Sequence, residues 1–125
     1  MATLQWSTDA ARIAERLADT DVVLVACLCA DWCGSCREYR LVFDQLATTS
    51  PGHCFVWIDV ETHADLVEHL EIDDFPTLLI EDTERVRFFG PVLPHAGVLS
   101  RMLATAAVDP QAANTASLRR LLRAD

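Results

Sequence analysis

The residues Val22-Val23-Leu24-Val25-Ala26-Cys27-Leu28-Cys29 form an unbroken apolar run, rich in β-branched side chains and preceded by Asp21. The run closes at Ala30 before Asp31, less than half of the roughly 20 residues that a membrane-spanning helix needs. An apolar run of this length without polar alternation reads as a strand buried on both faces, as at the centre of an α/β sheet. Residues Cys54 to Val60 read the same way. Two such strands demand covering layers above and below them, and the segments around them supply helices. Ser7, Thr8 and Asp9 are N-cap candidates for a first helix that carries Ile13 and Leu17 and ends near Thr20. Tyr39, Val42, Phe43 and Leu46 give a second helix one apolar stripe, stopped by Thr48-Thr49-Ser50-Pro51-Gly52.

Downstream, Thr62 and Asp65 have the form of a capping box for a short helix with Leu66, Val67 and Leu70. Phe75 to Ile80 reads as a third strand with Pro76 at its start. Glu81-Asp82-Thr83-Glu84 is the turn of a hairpin whose other arm, Val86 to Phe89, is broken by Gly90-Pro91. A helix from about His95 to Ala106 follows. The order αβαβαββα predicts a layered sheet with helices on both faces. Residues 1–107 form this unit. Residues 108–125 add a C-terminal helical extension packed on the same domain, capped by Asp109, with Pro110 in its first turn. Arg119, Arg120 and Arg123 then fall near its negative C-terminal end, and Leu118, Leu121 and Leu122 form an apolar patch.

The chain has 125 residues, enough for one domain of ordinary size, and 51 % of them are apolar, which excludes disorder as the main description. All ten basic residues are Arg, against nineteen acidic ones, for a formal charge of -9. Such a surface is a poor match for nucleic-acid phosphates or anionic membranes, so neither is an expected partner. Eleven of the acidic residues lie between Leu41 and Glu84, a stretch without a single Arg, and Asp73-Asp74 directly precede Phe75-Pro76. Met1 to Asp9 show neither the basic nor the apolar region of a secretory signal, so the expected compartment is the cytoplasm, where thiols stay reduced.

Five cysteines cannot form a complete internal disulfide framework. Two of them lie in Trp32-Cys33-Gly34-Ser35-Cys36, between a buried strand and a helix. Two Cys three apart on a first helical turn can close a small disulfide ring with little backbone movement. Cys33 lies at the helix N-terminus, where unpaired N–H groups and the helix dipole favour a thiolate, the nucleophile of disulfide exchange. Cys36, one turn deeper, is shielded and suited to resolving a mixed disulfide, and Gly34 leaves room for a substrate. Zinc sites also use Cys pairs, but they generally need four ligands. No second such pair exists, and His53, His63, His69 and His95 are scattered.

The residues Ala30-Asp31-Trp32-Cys33-Gly34-Ser35-Cys36-Arg37, with Phe75-Pro76-Thr77 forty residues after Cys36, resemble the thioredoxin family. Asp59-Val60-Glu61 and Gly90 fit the same pattern, and the resemblance spans approximately Thr3 to Ala106. It implies a thioredoxin-like α/β fold with a central mixed sheet. It also implies that Cys33 attacks, Cys36 resolves, and the redox-active group is a Cys33–Cys36 disulfide with no bound cofactor and no metal. Pro76 matches the family's cis-proline, and Trp32, Gly34, Ser35, Phe75, Gly90 and Pro91 match its substrate groove. The backbone of Phe75 is then expected to pair with an extended substrate strand. The implied function is a monomeric thiol–disulfide oxidoreductase that reduces protein disulfides and is itself recycled by an NADPH-dependent thioredoxin reductase.

Several positions depart from the family pattern. Ser35 replaces the usual Pro of the motif, and Leu41 replaces a helix-kinking Pro. Cys27 replaces the buried Asp beneath the resolving Cys, and Trp57 replaces the Lys that pairs with it in many members. These last two changes remove the family's usual proton acceptor. Cys27 and Cys29 are two apart and face the same side of their strand, and the resemblance puts that side toward the active-site helix. They read as small buried hydrophobes, as a secondary thiol store that exchanges with Cys33 and Cys36, or as part of a soft-metal site with that pair. Trp57 reads as core or as a neighbour of the Cys pair. The rival to an enzyme is a redox-quiet binding module or chaperone, in which an acidic rim and the C-terminal helix hold a basic partner protein.

Overall fold

Both apolar runs become strands of one five-stranded sheet. The computed structural model describes residues 3–30, 32–92, 95–104 and 108–123, without the side chains of residues 96, 113 and 114. The chain runs β1 (Leu4–Gln5), α1 (Trp6–Leu17), β2 (Val23–Cys29), α2 (Gly34–Thr49), β3 (His53–Asp59) and α3 (Ala64–Val67). It continues through β4 (Thr77–Glu81), β5 (Val86–Pro91), α4 (Ala96–Ala104), a 3₁₀ turn (Pro110–Asn114) and α5 (Arg119–Arg123). The strand order is β1-β3-β2-β4-β5. The first three strands are parallel, β4 runs antiparallel to β2, and β5 antiparallel to β4. Asp31, the helix end at Ala106, the boundary at Ala107 and the terminal Asp125 lie outside the described residues.

Strand alternation divides the interior into two layers. Leu24, Ala26 and Leu28 of β2 join Val56 and Ile58 of β3 against Ile13 and Leu17 of α1, Val67 of α3 and Leu118 and Leu122 of the tail. Val25, Cys27 and Cys29 point the other way and join Phe55, Trp57, Leu78 and Ile80. That second layer is closed by Cys36, Tyr39, Phe43 and Ala47 of α2 and Leu99 of α4. The sheet therefore carries helices on both faces, and Cys27 and Cys29 share a layer with the helix that starts after Cys33.

Several local expectations change. Strand β1 has only two residues, too few to leave a periodic signal, and pairs with Val56 and Trp57. Helix α1 starts at Trp6, and Asp9 inside it has non-helical angles (φ −119°, ψ 21°) while its carboxylate accepts the Gln5 N–H at 2.9 Å. The capping box at Thr62 and Asp65 does not form. His63 is the N-cap of α3, without a side-chain cap, and Asp59 instead accepts from the N–H groups of Glu61 and Thr62. Gly90-Pro91 does not break the hairpin, because β5 runs through both residues. As an edge strand, β5 can accommodate a residue without an N–H donor.

The tail is not one helix. The 3₁₀ turn is capped by Asp109, whose side chain accepts from Gln111 N–H, and extended residues separate it from α5. Arg119 consequently stands at the first position of α5 rather than near its end. Its buried guanidinium crosses to the opposite helix, donating to the carbonyls of Leu17 (3.0 Å), Asp19 (2.9 Å) and Val22. The positive charge thus serves the negative end of α1, not that of its own helix. Glu81, at the end of β4, completes the anchor by accepting from the N–H groups of Leu118 (3.0 Å) and Arg119 (2.8 Å) and from the Ser117 hydroxyl.

Candidate active site

The site is assembled where β2 ends and α2 begins. Cys33 is the N-cap of α2, with extended angles (φ −82°, ψ 119°). Its carbonyl accepts from Arg37 N–H at 3.2 Å, and its own N–H donates to Ala30 at 3.1 Å. This geometry turns Cys33 to the outer rim of the layer, where it is half-buried. Gly34 and Ser35 are exposed. Cys36, at the third helical position, faces the sheet and is buried. A Cβ on Gly34 meets only the tip of the Arg37 side chain, at 3.9 Å, so the approach to the helix start is open.

The expected Cys33–Cys36 disulfide is not the one present. Cys36 is bonded to Cys29, with Cα atoms 5.9 Å apart, and Cys33 is a free thiol. The reason lies in the two elements. Cys29 is the last residue of β2 and points into the layer under α2, while Cys36 points down into that same layer from the first turn. Strand alternation puts Cys27 and Cys29 on one side and the family resemblance turns that side toward α2, but neither shows that the helix start passes within bonding reach of Cys29. Cys29 is therefore part of the sulfur site itself, rather than a neighbour of it.

Cys27 completes a cluster of three buried sulfurs. Its Sγ lies 3.5 Å from that of Cys29. A disulfide-bonded sulfur carries no hydrogen, so the Cys27 thiol is the donor in this contact. Burial pushes the Cys27 thiol well above its ordinary pKa, and the positive charge of Arg40 only partly opposes this. The thiol consequently keeps its proton at neutral pH. Trp57 is the register partner of Cys27 on β3, buried in the same layer and in contact with Phe43. The Arg40 guanidinium lies 4.9 Å from the Trp57 ring centroid and is also paired with Asp44 at 2.9 Å. Arg40 was not singled out from the sequence. Its signal is its position four residues after Cys36, on the same side of α2.

Around this cluster, the structure brings most of the expected groove residues together. Trp32 is 64 % exposed, and its ring meets that of Phe75 edge-on at a centroid separation of 5.7 Å. The Phe75–Pro76 peptide is cis, and the Pro76 carbonyl accepts from Val92 N–H at 3.0 Å. Pro91 and Gly90 flank the same turn through the register Thr77↔Pro91 and Leu78↔Gly90. Asp73 and Asp74 are exposed just before Phe75. Leu41, also exposed, sits within an α2 that is continuous from Gly34 to Thr49. Among the described residues, no group of three or more His, Cys, Asp or Glu is arranged to hold a metal ion.

The chain that carries this combination of a helix-capping Cys, a buried Cys three residues on and a Phe-Pro turn is similar to known proteins. The family model described as Thioredoxin matches residues 5–96. The chain belongs to the thioredoxin family. Among curated thioredoxins, a putative thioredoxin 2 of Streptomyces coelicolor is 29 % identical over 85 residues, covering 67 % of this chain and 63 % of that protein. An H-type thioredoxin of Oryza sativa is 33 % identical over 57 residues, covering 46 % of this chain and 47 % of that one. The matched stretch thus spans less than two thirds of either relative's length.

Solved structures share the thioredoxin fold at lower identity. The germline-specific thioredoxin Deadhead of Drosophila melanogaster superposes with a TM-score of 0.71 at 23 % identity, over 86 % of this chain and all of that one. A poplar thioredoxin h gives 0.71 at 20 % identity, over 83 % and 95 % of the two chains. Among the described residues, no helix is long and apolar enough to cross a membrane.

Proposed function

We propose that this thioredoxin-family chain is a thiol–disulfide oxidoreductase that reduces disulfides of protein substrates. The observation that carries the reading is the placement of a half-exposed free thiol, Cys33, at the start of α2, three residues before a buried Cys36 that already takes part in a disulfide. In the reductive direction, the Cys33 thiolate attacks one sulfur of a substrate disulfide. This forms a mixed disulfide and expels the other substrate sulfur as a thiolate. With Cys36 in its reduced state, its thiolate attacks Cys33 Sγ, expels the second substrate sulfur and leaves a Cys33–Cys36 disulfide. The exposed Trp32–Phe75 edge offers an apolar surface to the segment flanking the substrate disulfide, and the Phe75 backbone offers hydrogen bonds to an extended strand. Family membership supports a flavin-dependent thioredoxin reductase, using NADPH, as the source of electrons.

The test is reduction of insulin disulfides with dithiothreitol as electron donor. The protein is expected to accelerate the reaction well beyond dithiothreitol alone. A rate equal to that of dithiothreitol alone overturns the reading and leaves the scaffold role.

The acidic rim gives a second prediction. Replacing exposed Asp73 and Asp74 by Asn is expected to slow reduction of a basic disulfide peptide severalfold at low salt, and to have little effect once salt screens the surface. The check is the rate ratio of variant to parent at the two ionic strengths. An equal ratio at both means that the rim plays no part in substrate choice.

A further inference from the structure

We propose that Cys29 is a third catalytic cysteine, which takes the disulfide from Cys33–Cys36 into the core and returns Cys33 to the surface as a thiol. The inference rests on the exchange reading above and extends it by one step. In that step the Cys29 thiol gives up its proton and attacks Cys36 Sγ. The Cys33–Cys36 bond breaks, and Cys33 leaves as a thiolate that takes up a proton. One disulfide is lost and one formed, so no outside oxidant or reductant enters.

Placement gives the step its direction. The product bond joins two buried residues, Cys29 at 1 % exposure and Cys36 at 2 %, and is the bond present in the structure. Cys33, the group released, is half-exposed at the mouth of the site. A neutral disulfide loses little by leaving water, whereas a thiolate in the core lacks solvation. The step therefore leaves the neutral bond inside and the ionisable sulfur outside. Cys27 favours the same state, because its thiol proton is directed to Cys29 Sγ at 3.5 Å. When the buried disulfide is later reduced, the Cys27 thiol is in place to donate a hydrogen bond to the departing Cys29 sulfur.

The result is an oxidised protein that still carries a nucleophile. Its Cys33 can attack a second substrate disulfide, forming a mixed disulfide and expelling one thiolate. Cys36 is then already engaged and cannot resolve the adduct. The oxidised form consequently holds its second substrate covalently until the buried bond is reduced.

The sequence allows a direct test. A protease that cuts before aspartate separates peptide 21–30, with Cys27 and Cys29, from peptide 31–43, with Cys33 and Cys36. The reduced full chain is oxidised with excess oxidised glutathione, quenched in acid, alkylated, digested and mapped by fragmentation mass spectrometry. The expected product is peptide 21–30 joined to 31–43 through Cys29 and Cys36, with Cys33 alkylated or carrying glutathione. A closed loop within 31–43, with Cys27 and Cys29 both alkylated, overturns the proposal while leaving thiol–disulfide exchange intact. Absence of any disulfide in either peptide, together with no insulin reduction, overturns both. In Cys29→Ser, or in Cys29→Ala if serine disturbs the core, modification of Cys33 in the oxidised protein is expected to fall about tenfold. Modification equal to that of the parent also overturns the proposal.

Discussion

Replacing Cys33 by Ser is expected to abolish catalysed insulin reduction, with a loss of at least about a thousandfold relative to the parent. A serine hydroxyl is not ionised near neutral pH and does not open a disulfide. No neighbouring thiol can stand in for it. Cys29 and Cys36 are buried away from a protein substrate, and Cys27 is fully enclosed in the core with its proton held. Replacing Cys36 by Ser has a different expected outcome. There Cys33 still attacks, but nothing resolves the product, and a mixed disulfide accumulates that intact-mass measurement detects. A Cys33→Ser variant that keeps more than about a tenth of the parent rate removes Cys33 as the attacking group. The two variants thus separate the attacking role from the resolving one at neighbouring positions of α2.

The second large effect concerns stability. Arg119→Ala is expected to lower the free energy of unfolding by about 3 kcal/mol, a large share of the roughly 5–15 kcal/mol that holds a typical domain together. The guanidinium is buried and satisfies three carbonyls where α1 ends and β2 begins. Truncation leaves these carbonyls without their charged donor and opens space beside Leu17 and Val22. Arg119→Lys is expected to recover less than half of the loss, because an ammonium on a flexible stem cannot reproduce a planar fork. Urea denaturation followed by tryptophan fluorescence and by circular dichroism gives the midpoints. A loss below about 1 kcal/mol means that water replaces the side chain at this site without cost.

The sequence made some features legible because they are local. The apolar continuity of Val22 to Cys29 needs no knowledge of the rest of the chain, and neither does the placement of Trp32-Cys33-Gly34-Ser35-Cys36 at a strand-to-helix junction. The same holds for the two-residue alternation that turns Cys27 and Cys29 to one side. The features that escaped depend on distances between elements. The pairing of Cys29 with Cys36 is set by how closely the first turn of α2 passes over the end of β2. Arg119 falls at the start of α5, rather than near its end, for a related reason. Residues 109–125 hold a fair helical pattern, but the extended stretch after Asn114 divides it, and Glu81 from a distant strand fixes where α5 starts. Arg40 reads as an ordinary surface charge until the fold places Trp57 beneath it.

The bonds of Arg119 to Leu17, Asp19 and Val22 join residues 102, 100 and 97 positions apart. During synthesis, the end of α1 emerges long before the side chain that satisfies it exists. Until then those carbonyls depend on water, and the layer that covers β2 on that side lacks Leu118 and Leu122. A nascent chain can therefore pair its early strands and set the sulfurs of Cys29 and Cys36 opposite one another while this opposite layer is still open. Closing a loop of this length is slow compared with forming a helix. The sulfur site and the Arg119 anchor thus lie on opposite faces of one sheet, and the face that carries the anchor is the last to be completed.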